Sequence, residues 1–574
     1  MPFDVIYADE LNRLRTLGLE FSKKNPALAP FLGSTSGDPD VERLLQGFAF
    51  LSAMVRQKMD DEIPEFIHDV ASLVSPELAQ PLPPISVLQM SVSGKCEQGL
   101  LVAKQTPFAS TEVEGTVCQF STSWPIRVQP VSLQSIAIEP LSSGGTELKL
   151  SFSLNALTLG QWGGEKLSLF LSGSFSDSCA WVLALRQKII GATVASPDGE
   201  GGSRELRVSF PGLEPANSLF EAGKGVADHL RWMRDFLAFP ERAFFLDLEG
   251  FSAWNKPPIG QTFVVRIQFS VPPESLPKAS ATKLAVNAVP AANLFQSFAE
   301  PIEINHLRES YRIRPMDSHV NQSEVNSVLH VAGRRRGEAE DREYVPFTDF
   351  LTDSNKGKYQ VIFSEGRSHG QLEFSIRLPF DGLPDLNQIE TLSIKLRCTN
   401  GKLAEKLRIG DICQRTVESP ERISVTNITV PTSYAKPSLG EDSMWRIVGH
   451  SRLNLVALAE VDAVKEMLFL YTPQGGDPTR LTATKRRIEG VESLSLEPMT
   501  KMHRGTLIRG YRLIMRLNRN FYAGTGDLMV FGEMLVHFFA GVVPLNAFLE
   551  TTVIDSISGE QFEWQPLLAP GLNL

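Results

Sequence analysis

The stretch DPDVERLLQGFAFLSAMVRQKMDDEIPE, Asp38 to Glu65, decides how this chain begins to fold. Asp38 can cap free backbone N–H groups, and Pro39 suits the first helical position. Val41, Leu44, Leu45, Phe48, Leu51, Val55 and Met59 then recur at helical spacing. Ala49, Phe50, Ala53 and Met54 fill the opposite side. A helix apolar on two faces is covered on both, by its own core or by a partner helix. Asp60, Asp61, Glu62 and Glu65 read as a helix–helix junction, where acids favour the start of a second helix. An acid–base pair or a cation site is the minor reading there.

Upstream, Tyr7, Leu11, Leu14, Gly18 and Phe21 share one face of an earlier helix, which Asn25-Pro26 and Pro30 end. The N-terminus, MPFDVIYADELNRLR, carries acids early and lacks the apolar run of a secretory signal. Downstream, Pro76, Pro81, Pro83 and Pro84 make a stiff linker. Strand-like runs follow: ISVLQMSVSG, ELKLSFSLN, KLSLFLSG, TFVVRIQFS, KYQVIFSEG and TLSIKLRC. Helical periodicity interrupts them at Ser176 to Ile190 and Gly225 to Phe239.

The expected architecture is α+β and multidomain, with a helical N-terminal region, strand-rich sandwich- or barrel-like domains and a mixed C-terminal domain. The expected divisions are 1–80, helical; 81–275, strand-rich with inserted helices; 276–435, strand-rich; and 436–574, α+β. The run from Leu528 to Leu545 is the longest apolar candidate for a membrane span. Glu533, His537 and Pro544 within it favour a buried segment.

Composition narrows function. The 574 residues hold 56 Lys and Arg against 66 Asp and Glu, a net charge of −10. Phosphate recognition needs a basic surface, so nucleic acid is not an expected partner. Arg334, Arg335 and Arg336 form the one basic run, and Glu338, Glu340 and Asp341 largely cancel it. Five cysteines without a C-x-x-C pair give neither a zinc spacing nor a disulfide framework, and fit reduced thiols in a cytosol.

Catalytic constellations fail in turn. No two of the nine histidines stand at i, i+4. Gly223-Lys224-Gly225 lacks the rest of a phosphate loop, and Gly524-Thr525-Gly526 lacks a third glycine, so both read as turns. Ser275 to Lys278 matches S-x-x-K only in a proline-rich stretch, and no G-x-S-x-G occurs. No catalytic, cofactor-binding or metal-ligating residue is assigned, and the chain is not expected to be an enzyme.

Seven segments in order resemble one family. They are YADELNRLRTLGLEFSKKNP (Tyr7 to Pro26) with the Asp38 to Glu65 helix, and DFLAFPERAFFLDLEGF (Asp235 to Phe251). NAVPAANLFQSFAEPIEINHLRESYRIRP (Asn287 to Pro315) follows, continued by EVNSV (Glu324 to Val328). Then come CTNG (Cys398 to Gly401), MWRIVGHSRLNLVAL (Met444 to Leu458), FYAGTGDLMVFGEMLVHFF (Phe521 to Phe539) and LNAF (Leu545 to Phe548). Together they are similar to TssF, a baseplate subunit of type VI secretion, over nearly the whole chain. Gly401, Gly449, Arg452 and Pro544 depart from the family pattern.

The resemblance implies a structural wedge protein of a contractile injection system. It implies contacts with TssG, a second TssF copy, TssE, TssK and the VgrG spike hub. It also implies a cytoplasmic assembly at the inner membrane's cytosolic face, without direct membrane insertion, that carries sheath and tube and passes on the contraction signal. The expected partner-facing residues are Tyr7, Leu11, Leu14, Phe48, Leu51, Val55, Phe521, Phe531, Phe538 and Phe548. A tail or baseplate protein of another phage-like family, or a β-rich cytosolic enzyme with a dispersed site, are the competing readings.

Overall fold

A computed structural model describes residues 3–25, 39–75, 78, 80–142, 144–220, 227–278, 283–305, 308–316, 322–335, 340–347, 356–365, 372–379, 389–437, 445–447, 449, 455–503, 505–568 and 572–573. The fold is mixed α+β, and the chain divides into two compact units. The first is Met1–Val74 with Leu439–Val448; the second is Ser75–Ser438 with Gly449–Leu574.

The first unit is built on helices α1 (Phe3–Lys24) and α2 (Pro39–Val74). Helix α2 runs through the Asp60 to Glu65 stretch without a break, so the junction expected there is absent. The side chains of Asp60, Asp61, Glu62 and Glu65 lie outside the described residues. A short helical turn at 445–447 belongs to the same unit, with Ile447 buried and Trp445 exposed.

The second unit holds two barrel-like sheets. In the first, six antiparallel strands run in the order Ile412–Arg415, Pro107–Val113, Thr116–Thr122, Ala288–Ala292, Ile85–Val92, Ile423–Asn427. One side chain seals its two ends. Asn427 Oδ1 accepts the N–H groups of Gly410 (3.0 Å) and Ile412 (2.9 Å), and Nδ2 donates to the Arg408 carbonyl at 2.9 Å. The second barrel spans Phe295–Phe298 to Glu390–Thr399. It closes where the Met316 N–H donates to the Phe298 carbonyl and the Glu300 N–H to the Arg314 carbonyl, each at 2.8 Å.

Between the barrels in sequence lies an eight-stranded antiparallel sheet. Its strand Thr146–Leu154, TELKLSFSL, alternates buried and half-buried residues, as the period-2 pattern requires. Phe152, Trp162 and Phe263 stack in its core with ring centroids 5.1–5.2 Å apart. Helices α3 (Phe175–Gln187) and α4 (Asp228–Ala238) follow the helical stretches expected from the sequence. Helix α3 starts one residue early, with Ser174 as its cap, because Ser174 Oγ accepts the Asp177 N–H at 3.2 Å.

The C-terminal part carries helices α5 (Val461–Tyr471), α6 (Pro478–Glu489) and α7 (Thr525–Val542) beside a five-stranded sheet. Strands Thr506–Leu517 and Phe548–Asp555 pair in parallel, and α7 is the crossover between them. Gly524 is the residue that opens α7. The reading of that glycine as a plain turn is therefore corrected, while Gly223-Lys224-Gly225 lies outside the described residues. Among the described residues α7 is the one helix long and apolar enough to cross a membrane, and 78% of it is buried inside the protein.

The division expected at 275 cuts through shared sheets. Strands from both sides of 275 make the first barrel, and Leu284–Val286 pairs with Lys166–Leu171. Pro272-Pro273 punctuates the sequence near that point, but strand pairing across long sequence separation overrides such local punctuation.

Candidate partner interface

The α1–α2 hairpin packs with its small residues inward. Ala49 and Ala53 are fully buried and Ile6 is 3% exposed. Alanines four apart let the two backbones approach closely. Charges tie the seam: Arg56 donates to Glu10 at 2.6 Å and to Asp9 at 3.1 Å, and Arg15 pairs with Glu42. The Glu10 and Asp9 carboxylates raise the Arg56 pKa, so the guanidinium stays charged.

The large apolar side chains of α2 face the other way. Leu44 is 74% exposed, Phe48 63%, Leu51 61% and Val55 60%. Phe50 and Met54 flank them, and Leu17 and Phe21 of α1 are exposed as well. Spacing of four, three and four residues puts Leu44, Phe48, Leu51 and Val55 on one stripe. Monomeric proteins rarely leave such a contiguous apolar surface in water. The sequence pattern showed two apolar faces; the pair Ala49 and Ala53 was the signal for which one packs inside.

The other expected interface residues divide. Tyr7, Leu11 and Leu14 are half-buried on α1. Phe521 is 36% exposed at the entrance to α7. Phe531, Phe538 and Phe548 are at most 1% exposed and belong to the core. Their assignment to a partner surface is corrected: α7 is apolar on all sides because α3, α4 and the strands Phe548–Asp555 and Gln561–Leu568 enclose it.

The remaining motif segments carry buried polar locks. In Asp235 to Phe251, Arg242 is fully buried and donates to Asp235 at 3.4 Å and to the carbonyls of Gly212 (2.8 Å) and Asn217 (2.5 Å). Burial lowers the Arg242 pKa to about 10 and raises that of Asp235, while each opposes the other's shift. The guanidinium also sits 4.2 Å from the Trp232 ring centroid.

Asn293 and Asn400 lock the first barrel to the second, through the NLF and CTNG segments. Asn293 Oδ1 accepts the Asn400 N–H at 2.7 Å and the Thr399 hydroxyl at 2.8 Å. Asn293 Nδ2 donates to Asn400 Oδ1 at 2.9 Å and to the Gln119 carbonyl at 2.8 Å.

In the closing segment, Asp527 receives Arg487 Nε on both oxygens at 3.0 Å and the Ala523 N–H at 2.9 Å. Gly526 lies against the Cys179 carbonyl of α3, where a Cβ would overlap it. Glu533 accepts from Trp564 Nε1 at 2.6 Å and pairs with Arg186 at 2.9 Å. Burial alone would raise the Glu533 pKa; Arg186, His537 and Trp564 outweigh it and hold it at about 2. These ionisable groups spend their polarity on one another. Among the described residues no cluster of three or more His, Cys, Asp or Glu could hold a metal ion.

The arrangement is thus an apolar helical face on one unit and, in the other, a body braced by buried locks at the motif positions. The family model for the type VI secretion system protein TssF matches residues 3–569. A similar protein is the type VI secretion system component TssF1 of Pseudomonas aeruginosa, 25% identical over 97% of each chain. A chain of a TssK-TssF-TssG baseplate subcomplex of a type VI secretion system superposes with a TM-score of 0.78 at 26% identity, covering 92% of this chain and 98% of that one. A chain of a type VI secretion baseplate complex shares the fold, with a TM-score of 0.61 at 22% identity over 99% of this chain and 100% of that one. With its family model matched almost end to end, the chain belongs to the TssF family of type VI secretion system proteins.

Proposed function

We propose that this chain is a structural wedge subunit of a type VI secretion baseplate and that it assembles with TssG and TssK. Its role is mechanical and not catalytic: wedge contacts hold the platform for sheath and tube, and their rearrangement passes on the contraction signal. TssE, the VgrG hub and a second TssF copy complete its surroundings, at the cytosolic face of the inner membrane. The similar chain in the TssK-TssF-TssG subcomplex supports the first two partners.

The observation that carries this reading is the stripe of Leu44, Phe48, Leu51 and Val55, more than half exposed at every position. Interfaces of permanent complexes are apolar at their centre, and burying this stripe contributes about 25 cal/mol per Å² removed from water. We assign it to TssG or to a second copy held by TssG. Replacing Phe48 and Leu51 together with Asp is expected to abolish co-purification with co-expressed TssG while the variant stays folded. Retained co-purification would overturn the assignment.

A further inference from the structure

The chain holds one Asn-Gly pair, Asn400-Gly401, in the CTNG segment. Asparagine is a chemically labile residue, and a following glycine makes it most so. With no Cβ beside it, the glycine nitrogen reaches the asparagine carboxamide carbon and closes a five-membered succinimide. Glycine is nonetheless what the backbone asks for here. Gly401 has φ +54°, in the left-handed region, where it opens the short helical turn Gly401–Lys406.

The two reacting groups are held by one side chain. Asn293 Nδ2 donates to Asn400 Oδ1 at 2.9 Å, which fixes the carboxamide that would be attacked. Asn293 Oδ1 accepts the Thr399 hydroxyl at 2.8 Å, and Thr399 Oγ1 accepts the Gly401 N–H at 3.2 Å. The attacking nitrogen is therefore engaged through the same amide. Asn400 is pinned twice more: its Oδ1 takes the Gln119 N–H and its Nδ2 donates to the Gln322 carbonyl, each at 3.2 Å.

The backbone is also set against closure. Asn400 has ψ 2°, so the Gly401 nitrogen eclipses the Asn400 nitrogen and stands a third of a turn away from Cβ. Ring closure brings that nitrogen over Cβ. The Cα–C bond must turn for this, which breaks the hydrogen bond from the Leu403 N–H to the Asn400 carbonyl at 3.1 Å. Asn293 is 0% and Asn400 5% exposed, and Gly401 is buried, so hydroxide is kept away as well.

We propose that Asn293 is a chemical shield for the Asn400-Gly401 bond, and that this bond becomes a modification site when the lock between the barrels opens. In the open state hydroxide takes the Gly401 N–H proton and the nitrogen attacks Asn400 Cγ. The Cγ–Nδ2 bond breaks, and Nδ2 leaves as ammonia with a proton returned from water. Water then adds to one of the two imide carbonyls and gives aspartate or isoaspartate, with no change of oxidation state. Neither product rebuilds the lock. Aspartate sets a carboxylate oxygen against the Gln322 carbonyl where an N–H had donated, and a buried charge facing an acceptor is costly. Isoaspartate adds a carbon to the main chain at the joint. An opening that lasts long enough is thus recorded permanently in the covalent structure.

Peptide mass spectrometry of the full-length chain held in mildly alkaline buffer reads the conversion. The folded parent is expected to keep Asn400 while the free peptide RCTNGKL, Arg397 to Leu403, converts. Asn293→Ala in the folded chain is expected to convert at least about tenfold faster than the parent, because local opening sets the rate. Val553→Ala leaves a cavity at a fully buried site of the C-terminal sheet and controls for general loss of stability. It is expected to convert Asn400 at the parent's rate. Equal rates in Asn293→Ala and the parent would overturn the shield. So would conversion in the folded parent as fast as in the peptide, or Val553→Ala raising the rate as much as Asn293→Ala. Asn400→Asp, the linear product, is expected to lower the urea midpoint; the parent's midpoint in that variant would overturn the permanence of the break.

Discussion

Asn293 and Asn400 hold each other face to face: the side-chain oxygen of the first takes the backbone N–H of the second, and its side-chain nitrogen gives to the second's side-chain oxygen. Both residues are at most 5% exposed. Asn293→Ala leaves the Asn400 N–H and the Thr399 hydroxyl without their acceptor. Removing one member of a buried network costs the desolvation of what it leaves behind, about 3 kcal/mol here. A lowered urea midpoint with an unchanged slope is the expected result; a variant within about 0.5 kcal/mol of the parent would show that water replaces the amide.

The α1–α2 hairpin predicts an inverted hydrophobicity test. Phe48→Asp and Leu51→Asp touch only exposed positions and are expected to move the melting temperature little, because surface changes fall within about 0.5 kcal/mol. Ala49→Leu, a gain of apolar bulk in the seam, is expected to destabilise by about 1–3 kcal/mol through overpacking. Circular dichroism melts of the two kinds of variant would show the reverse order if the large residues were core.

Glu533 makes stability sensitive to strong acid. Its pKa of about 2 lies below the ordinary value near 4.5, so the unfolded chain takes up the proton first. The stabilisation is complete above pH 4.5 and is lost as pH falls through 2. Arg186→Ala is expected to cost about 3–5 kcal/mol at neutral pH, because it strands a buried carboxylate. Urea unfolding of parent and variant at several pH values would show this as a gap that narrows in acid.

His229 acts in a higher window. Burial lowers its pKa from 6.5 to about 4, against a small opposing effect of Asp228. The unfolded chain therefore binds a proton below pH 6.5 that the folded chain refuses until about pH 4. Stability falls as pH drops across that interval, by up to about 3 kcal/mol. His229→Gln is expected to flatten that slope; an unchanged slope would place the acid sensitivity elsewhere.

Where sequence alone succeeded, the signals were local. The start of α2 at Pro39, the alternation in TELKLSFSL and the strand run TFVVRIQFS each appear as expected, while Asp38 lies outside the described residues. The misreadings have non-local causes. Phe531 and Phe538 looked like interface aromatics because a one-dimensional pattern does not show that two helices and two strands surround α7. The division at 275 failed because Ile85–Val92 finds its partners at 288–292 and 423–427. The stripe on α2 was legible as apolar, but its exposure follows from which face α1 takes. The unequal strand lengths of the last sheet were not legible: only pairing shows that Thr506–Leu517 runs four residues past its parallel neighbour, which begins at Phe548 opposite Gly510.

Asn427 has a consequence for the proposed assembly, in which many copies would crowd at one place. An open sheet end is a template on which an unwanted strand can nucleate, and nucleation becomes steeply more frequent as local concentration rises. With one amide spanning the seam, the N–H groups of Gly410 and Ile412 and the Arg408 carbonyl are already engaged where an added strand would start to pair. Copies of the chain can then be packed densely with that nucleating point closed.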